Sequence, residues 1–241
     1  MGTKARYYAG NLIYYDDGTQ KTVASFAPVV YHDTFIGTTM LTSGVTTWTG
    51  VIVGAAPPTV SRVADYAGGA MACALTADNQ AQVAHMSHGN ERSFNLKKNA
   101  VVEWRARLSV VPTLASRVVF GLAGDYGADP DAIDVSALFS LTGSAVVNCM
   151  TDDTGSDSGA IASGVTMTLN QWYVFRIDFG DLTNVLFYID GANVATGTTF
   201  DMSTLSDAEA VVQPYIQANK GIAVSVGTVE ADEVWVWADE T

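Results

Sequence analysis

The sequence predicts an all-β protein: an antiparallel sandwich of two sheets preceded by a short N-terminal β-hairpin arm. Three observations carry this prediction. The 241 residues include 29 Val and 25 Thr against 13 Leu and 5 Lys, a bias toward branched side chains that suit a pleated, half-buried surface. Alternating apolar and polar runs recur at the short, turn-punctuated intervals of a sandwich or barrel, and no stretch of about 12 residues carries a helical period. At 48% apolar residues the chain can bury one large core without metals or disulfides, which excludes a disordered protein.

The arm comes first. Residues 8–15 and 21–26 are β-rich runs separated by Asp16-Asp17-Gly18-Thr19, a strong turn signal, so residues 1–28 are expected to form a hairpin and residues 29–241 the sandwich. Tyr7, Tyr8, Tyr14 and Tyr15 crowd this piece together with Lys4, Arg6 and Lys21. A two-stranded hairpin is marginal in water unless something covers it, and the cover is either the main domain or a partner. Arg6, Tyr7, Tyr8, Tyr14 and Tyr15 are therefore the expected partner-binding residues.

Residues 101–110 give the clearest strand: Val102, Trp104, Ala106, Leu108 and Val110 share one face, expected to be core, and Glu103, Arg105 and Arg107 share the other. Residues 118–122, 135–141 and 145–150 continue the alternation. Two aromatic strands follow at 172–179 and 185–189, the second ending at Asp190-Gly191, a favoured two-residue turn into Asn193-Val194-Ala195. The last strand covers 233–237, in which Trp235 and Trp237 share a face; packing between the sheets is their expected fate, with a sugar-stacking platform the alternative. Residues 152–159 read as a polar loop.

Charge narrows the partners. The chain carries 25 acids against 12 bases, net −13, which opposes binding to a polyanion such as nucleic acid. Residues 1–117 hold 10 Lys/Arg and 7 Asp/Glu, whereas 118–241 hold only Arg176 and Lys220 against 18 acids. Either the surface is polarised or strands from both halves interleave and blur the difference. The start lacks the apolar region of a secretory signal, so the chain is expected to be made and kept in a cytoplasm. The most apolar window, 51–56, runs into Pro57-Pro58 and is far shorter than the roughly 20 residues of a membrane span. Cys73 and Cys149 lie in strand-like segments and read as buried thiols, a disulfide being the alternative.

With the strands placed, Trp172-Tyr173-Val174-Phe175-Arg176-Ile177-Asp178, then Val185-Leu186-Phe187-Tyr188-Ile189-Asp190-Gly191 and a closing Asp232-Glu233-Val234-Trp235-Val236-Trp237 resemble the concanavalin A-like lectin/glucanase jelly roll, laminin G-like domains included. Tyr31-His32-Asp33-Thr34-Phe35, Trp104-Arg105-Ala106-Arg107 and Val119-Phe120-Gly121-Leu122-Ala123 fit the same family, over roughly residues 31–238. A jelly roll behind a short aromatic hairpin also resembles bacteriophage virion accessory proteins, notably head decoration proteins. These motifs describe strand pairing and say little about activity.

Glycosidases of this fold carry two carboxylates on one strand face at Glu-x-Asp-x-Glu or Glu-x-Asp-x-x-Glu spacing, about 5 Å apart for a retaining mechanism. This chain has neither spacing. In its nearest approach, Glu230-x-Asp232-Glu233, the neighbouring acids are expected to point to opposite faces; Asp129-x-Asp131-x-x-Asp134 begins at a proline turn. Asp125, Asp129, Asp131 and Asp134 with Asp152, Asp153 and Asp157 offer oxygen ligands of the kind calcium takes, but match no complete calcium loop and read as a solvated acidic rim, with calcium the alternative. His85-x-x-His88 lacks a third zinc ligand nearby and reads as two ordinary loop histidines. No nucleophile elbow, phosphate loop or dinucleotide fingerprint occurs.

The reading is therefore a non-enzymatic bacteriophage virion structural protein: a capsid decoration or stabilising subunit, attached through its arm to the major capsid protein or another virion protein, assembled in the host cytoplasm. It is expected to be a homo-oligomer, for which a trimer is plausible, with no cofactor, no nucleic acid and no membrane. The rival is a carbohydrate-binding module or host-receptor adhesin.

Overall fold

The computed structural model describes residues 3–8, 11–16, 22–25, 29–36 and 48–239, with side chains from residue 30 onward. Strands β1 (Thr3–Tyr8), β2 (Asn11–Asp16) and β3 (Thr22–Ser25) form an antiparallel three-stranded sheet of their own. The expected hairpin is thus part of a larger unit, because Thr3–Tyr8 pairs back on β2 with Tyr8 opposite Asn11. The expected strand over 8–15 is corrected: Tyr8 closes β1, and β2 begins at Asn11. The side chains of Arg6, Tyr7, Tyr8, Tyr14 and Tyr15 lie outside the described residues.

The remaining strands are β4 (Val29–Asp33), β5 (Thr49–Val53), β6 (Thr59–Arg62), β7 (Met71–Ala74), β8 (Gln82–Ser87), β9 (Phe94–Asn95), β10 (Val101–Val110) and β11 (Ser116–Ala123), then β12 (Val135–Thr142), β13 (Val146–Asp153), β14 (Ile161–Thr166), β15 (Tyr173–Asp178), β16 (Leu186–Ile189), β17 (Ala192–Val194), β18 (Val211–Lys220) and β19 (Thr228–Ala238). Sheet I has the order β17-β16-β15-β10-β19-β7-β6, with β4 also on β19. Sheet II has the order β14-β13-β12-β11-β18-β8-β5, with β9 on β18. The two sheets, antiparallel throughout, face each other as a jelly-roll sandwich. Each takes strands from both halves of the chain, so the charge difference along the sequence does not separate in the fold. No helix among the described residues is long and apolar enough to cross a membrane.

The core lies between the sheets. Trp104, fully buried on β10, donates its indole N–H to the Gly121 carbonyl on β11, 3.2 Å away across the sandwich. Phe175 of sheet I meets Phe120 and Phe139 of sheet II edge-to-face at centroid distances of 4.8 and 5.0 Å, and Phe187 meets Phe139 at 5.2 Å, the geometry favoured by aromatic quadrupoles. Cys73 and Cys149 are free, buried thiols on opposite sheets, and burial pushes the Cys149 thiol up to about 12. The turn at Asp190-Gly191 has positive φ at both residues, 50° and 80°, as a type I′ hairpin requires.

Two face assignments differ from the sequence expectation. Val110 is 38% exposed, because a register shift after Leu108 breaks the alternation at the end of β10. Trp235 and Trp237 do not pack between the sheets. Trp104 pairs with Val234, and directly opposite residues share a face, so an inward Trp104 forces Val234 and Val236 inward and both tryptophans outward.

Lys220, at the end of β18, is buried and donates from Nζ to the carbonyls of Thr76, Asp78 and Ser225 at 2.6, 2.5 and 3.0 Å. It ties two loops to one ammonium.

Trp104→Ala is expected to cost about 3–5 kcal/mol of stability through the cavity it leaves. Trp235→Ala, on the outer face, should cost no more than about 1 kcal/mol. Urea denaturation of both variants reads the difference, and equal losses would contradict the face assignment.

Candidate functional site

The two sheets have very different outer faces. Residues 124–134, between β11 and β12, lie as a strap across the outer face of sheet II. Gly124 ends β11 and pairs back on Val135, and Pro130–Ala132 forms a 3-10 turn whose N-terminus is capped by Asp129. Side chains of the sheet fasten the strap: Gln213 Nε2 donates to the Gly124 carbonyl at 2.7 Å, Tyr215 Oη to Gly127 at 3.0 Å, and Gln217 Nε2 to Ala128 at 3.0 Å. Asn90 Oδ1 accepts from the Tyr126 amide at 2.8 Å, and Arg117 pairs with Asp131 at 2.7 Å. Beneath it Val119, Ala123, Ile133, Leu138, Met150 and Tyr215 form a second, smaller apolar cluster.

At one end of the strap, the loop after β8, the strap, the loop after β13 and the chain just before β18 converge on a cavity of about 270 Å³. Its polar and aromatic lining is Arg92, Asp125, Tyr126, Asp134, Thr154 and Glu209. Arg92 lies 3.6 Å from Asp125, the Thr154 amide donates to the Asp134 carbonyl at 2.7 Å, and the Ser206 hydroxyl and amide hold the Glu209 carboxyl below its ordinary range. Behind this wall, burial pushes Asp152 up, reinforced by Asp157, Asp134 and Asp153. The half-buried Tyr126 ring packs at a tilt on His85: its centroid is 4.6 Å from that of His85, which is 4.5 Å from that of Tyr215. The cavity thus offers one fixed aromatic ring, carboxylate acceptors and a guanidinium donor.

The outer face of sheet I carries a charged and aromatic network. Between Glu233 and Ala231 the register of β19 against β10 shifts by one residue at Asp232. This bulge overturns the expectation that Asp232 and Glu233 point to opposite faces. Because Asp232 is the extra residue, Glu230, Asp232 and Glu233 all reach the same outer face. Glu230 pairs with Arg107 at 2.6 Å, and Asp232 accepts from Arg105 at 2.7 Å and from the Tyr66 hydroxyl at 2.8 Å. Glu233 accepts from His32 Nε2 at 3.0 Å and Trp235 Nε1 at 2.8 Å, which locks those two rings in a stack with centroids 3.6 Å apart. Burial raises both Asp232 and Glu103. Trp172 lies over Arg105 and Arg107 at 5.2 and 4.6 Å, and Tyr188 under Arg176 at 4.4 Å. Most of this face is paired with itself.

The acidic residues singled out in the sequence part company. Asp125 and Asp134 reach the cavity, Asp129 caps the 3-10 turn, Asp131 pairs with Arg117, and Asp153 accepts from the amides of Gly155 and Ser156. Among the described residues no three metal-ligating groups gather to hold an ion. His85 and His88 are not loop histidines: His85 is in β8 and His88 follows it directly, both buried. Burial lowers His85 to about 3 and His88 to about 4, the latter opposed by Asp33. Sequence reasoning missed Arg92, Tyr126 and Glu209. Tyr126 sits inside the acidic loop already singled out, but nothing in the sequence joins Arg92 and Glu209, more than a hundred residues apart.

No protein-family model and no curated protein matches the chain. Solved structures do, at identities that show the fold alone. A protein of unknown function from Shewanella oneidensis MR-1 is 10% identical, with 87% of this chain and 85% of that one covered and a TM-score of 0.57. The Emp47p carbohydrate recognition domain is 11% identical, with 80% and 89% covered and a TM-score of 0.54. The GH16 protein of the Bacteroides ovatus mixed linkage glucan PUL, in complex with a G4G4G3G product, is 13% identical, with 85% and 98% covered and a TM-score of 0.53. The fold is the concanavalin A-like jelly roll. The expectation that the chain is not an enzyme is corrected: its structural neighbours include a glycan-processing protein, and the bulge at Asp232 removes the reason for denying one sheet face its carboxylates.

Glu230 is 7% exposed and its carboxylate is paired with Arg107 at 2.6 Å. Arg107→Met should cost about 3 kcal/mol by leaving that carboxylate buried and unpaired, and adding Glu230→Leu should recover much of the loss. A double-mutant cycle in urea checks this; independent, additive losses would contradict it.

Proposed function

We propose that the chain binds a saccharide, held in the cavity between the strap and the neighbouring loops. The supporting observation is the Tyr126 ring, fixed against His85 and flanked by Asp125, Asp134, Glu209 and Arg92. A pyranose presents C–H groups on its face and hydroxyls around its rim. An aromatic ring takes the first, while carboxylates and a guanidinium take the second. Loops on a rigid sandwich are where such groups are placed without disturbing the core. The outer face of sheet I is less suited, because its charges already pair with one another. Carbohydrate recognition is compatible with a fold shared with the Emp47p carbohydrate recognition domain.

The test is a glycan array, followed by titration calorimetry on the glycan retained and mass spectrometry of the mixture to detect turnover. Tyr126→Ala and Asp134→Asn should each weaken binding at least about tenfold, roughly the worth of one stacking or charged hydrogen-bond contact, with little change in melting temperature. No retained glycan, or unaltered affinity in both variants, would remove the proposal.

A second reading concerns the arm. Its three strands pair only with one another among the described residues, which favours a separate docking piece. In this reading Arg6, Tyr7, Tyr8, Tyr14 and Tyr15 attach the sandwich to a virion protein, such as the major capsid protein, or to a neighbouring copy in an oligomer. Deleting residues 1–28 should then leave the melting temperature of the sandwich nearly unchanged, while sedimentation with purified particles, or self-association, falls by about a hundredfold. Unfolding of the truncated chain, or undiminished binding, would place the contact elsewhere.

A further inference from the structure

His85 occupies an unusual position for an ionisable ring. It is 1% exposed, lies between the rings of Tyr126 and Tyr215, and neither Nδ1 nor Nε2 has a hydrogen-bond partner. Its register partners are Val51 on β5 and Gln217 on β18, and Gln217 directs its amide to the strap carbonyl of Ala128. The surrounding elements carry Asp125, Asp129, Asp131 and Asp134 on the strap, Arg92 beside it and Arg117 on β11. Arg92 pairs with Asp125 and Arg117 with Asp131, and no charged group reaches the ring nitrogens. Buried polar atoms are almost always paired, so a ring with two orphan nitrogens is a stored liability.

We propose that the strap 124–134 is an acid-released latch: protonation of His85 expels Tyr126, lifts the strap from sheet II and dismantles the cavity wall. Two effects oppose each other in the closed state. The two flanking tyrosine rings favour an imidazolium through a weak cation–π attraction. Against it stand two charged N–H groups with no acceptor, each costing more than that. Desolvation wins, consistent with the lowering of His85 to about 3 from its ordinary 6.5. The sign follows. An opened strap returns the ring to water and its ordinary affinity for protons, so the open form binds more protons between pH 6.5 and 3, and opening is favoured as pH falls through that window. The fastenings of the strap are neutral hydrogen bonds and two ion pairs with exposed carboxylates, Arg117–Asp131 and Arg92–Asp125, so it can lift while the core between the sheets stays closed.

Because Asp125, Tyr126 and Asp134 lie on the strap, a bound saccharide would be released with it; this consequence rests on the proposed function, whereas the latch itself is measured without ligand. Hydrogen exchange of the full chain, corrected for the intrinsic pH dependence of exchange, should show the strap opening equilibrium rising about 90-fold between pH 7.5 and 4.5. Amides of β10 should change less than about threefold. His85→Phe, which keeps the stack and cannot be protonated, should flatten the strap response to within about threefold, and His85→Gln should do the same if the phenylalanine variant fails to fold. His88→Phe should leave the response intact. The proposal is overturned if the wild-type strap responds less than threefold, if β10 opens with it, if both His85 variants still respond, or if His88→Phe abolishes the response. A latch that opens as described with no glycan retained on the array would leave the latch standing and remove the saccharide reading.

Discussion

Everything in this fold depends on how closely the two sheets approach at Trp104. Its indole spans the sandwich and ends on the carbonyl of Gly121. Gly121 has φ +154°, and a Cβ there would be driven into the Ala137 carbonyl and the Ile177 side chain. Glycine lets β11 sit against β12 and under β15 at once, and the tryptophan fixes which edge of each strand faces inward. From that contact the alternation propagates: Val102, Ala106 and Leu108 inward on β10, Val234 and Val236 inward on β19, Phe120 and Leu122 inward on β11.

The outward residues are then committed as well, and each sheet disposes of its outer face in its own way. Sheet II places small apolar residues there, Val119, Ala123 and Leu138, and covers them with the strap. Sheet I places charges and large rings there and neutralises them across strands. A row from Tyr188 through Arg176, Glu103 and Trp235 to His32 crosses five strands, each member opposite the next in register. A single extra residue at Asp232 converts what would be alternating acids into three on one side, each with its own partner. This is how a strand with Glu230, Asp232 and Glu233 stays folded: the bulge lets every carboxylate reach a donor.

The functional reading follows from what those two solutions leave over. Where the strap ends, its own loop and three others meet without pairing all their groups, and the aromatic ring at the meeting point is held by a histidine that itself has no partner. In the proposed reading, recognition and release thereby share one element. The strap supplies the cavity wall, and the histidine it covers is the group on which its proposed release in acid rests. Among the described residues the strands of the arm pair only with one another.

The sequence by itself determined the fold class, the strand pattern and the core. Branched residues, the alternation over 101–110, the aromatic strands near 172–189 and the Asp190-Gly191 turn are local signals, and local periodicity decides which residues become strands. It also marked the acidic loop that became the strap, and it identified both cysteines as buried thiols. Only the tertiary structure decided the direction of Trp235 and Trp237, since alternation says which residues share a face but not which face is inside; the pairing of Val234 with Trp104 settles that. It alone set Asp232 beside Glu233, because a bulge is a mismatch between two strands and neither strand carries it alone. It brought Arg92, Tyr126 and Glu209 together and seated His85 beneath the strap, as these contacts join segments distant in the chain, and long-range pairing rather than local pattern brings such residues within reach.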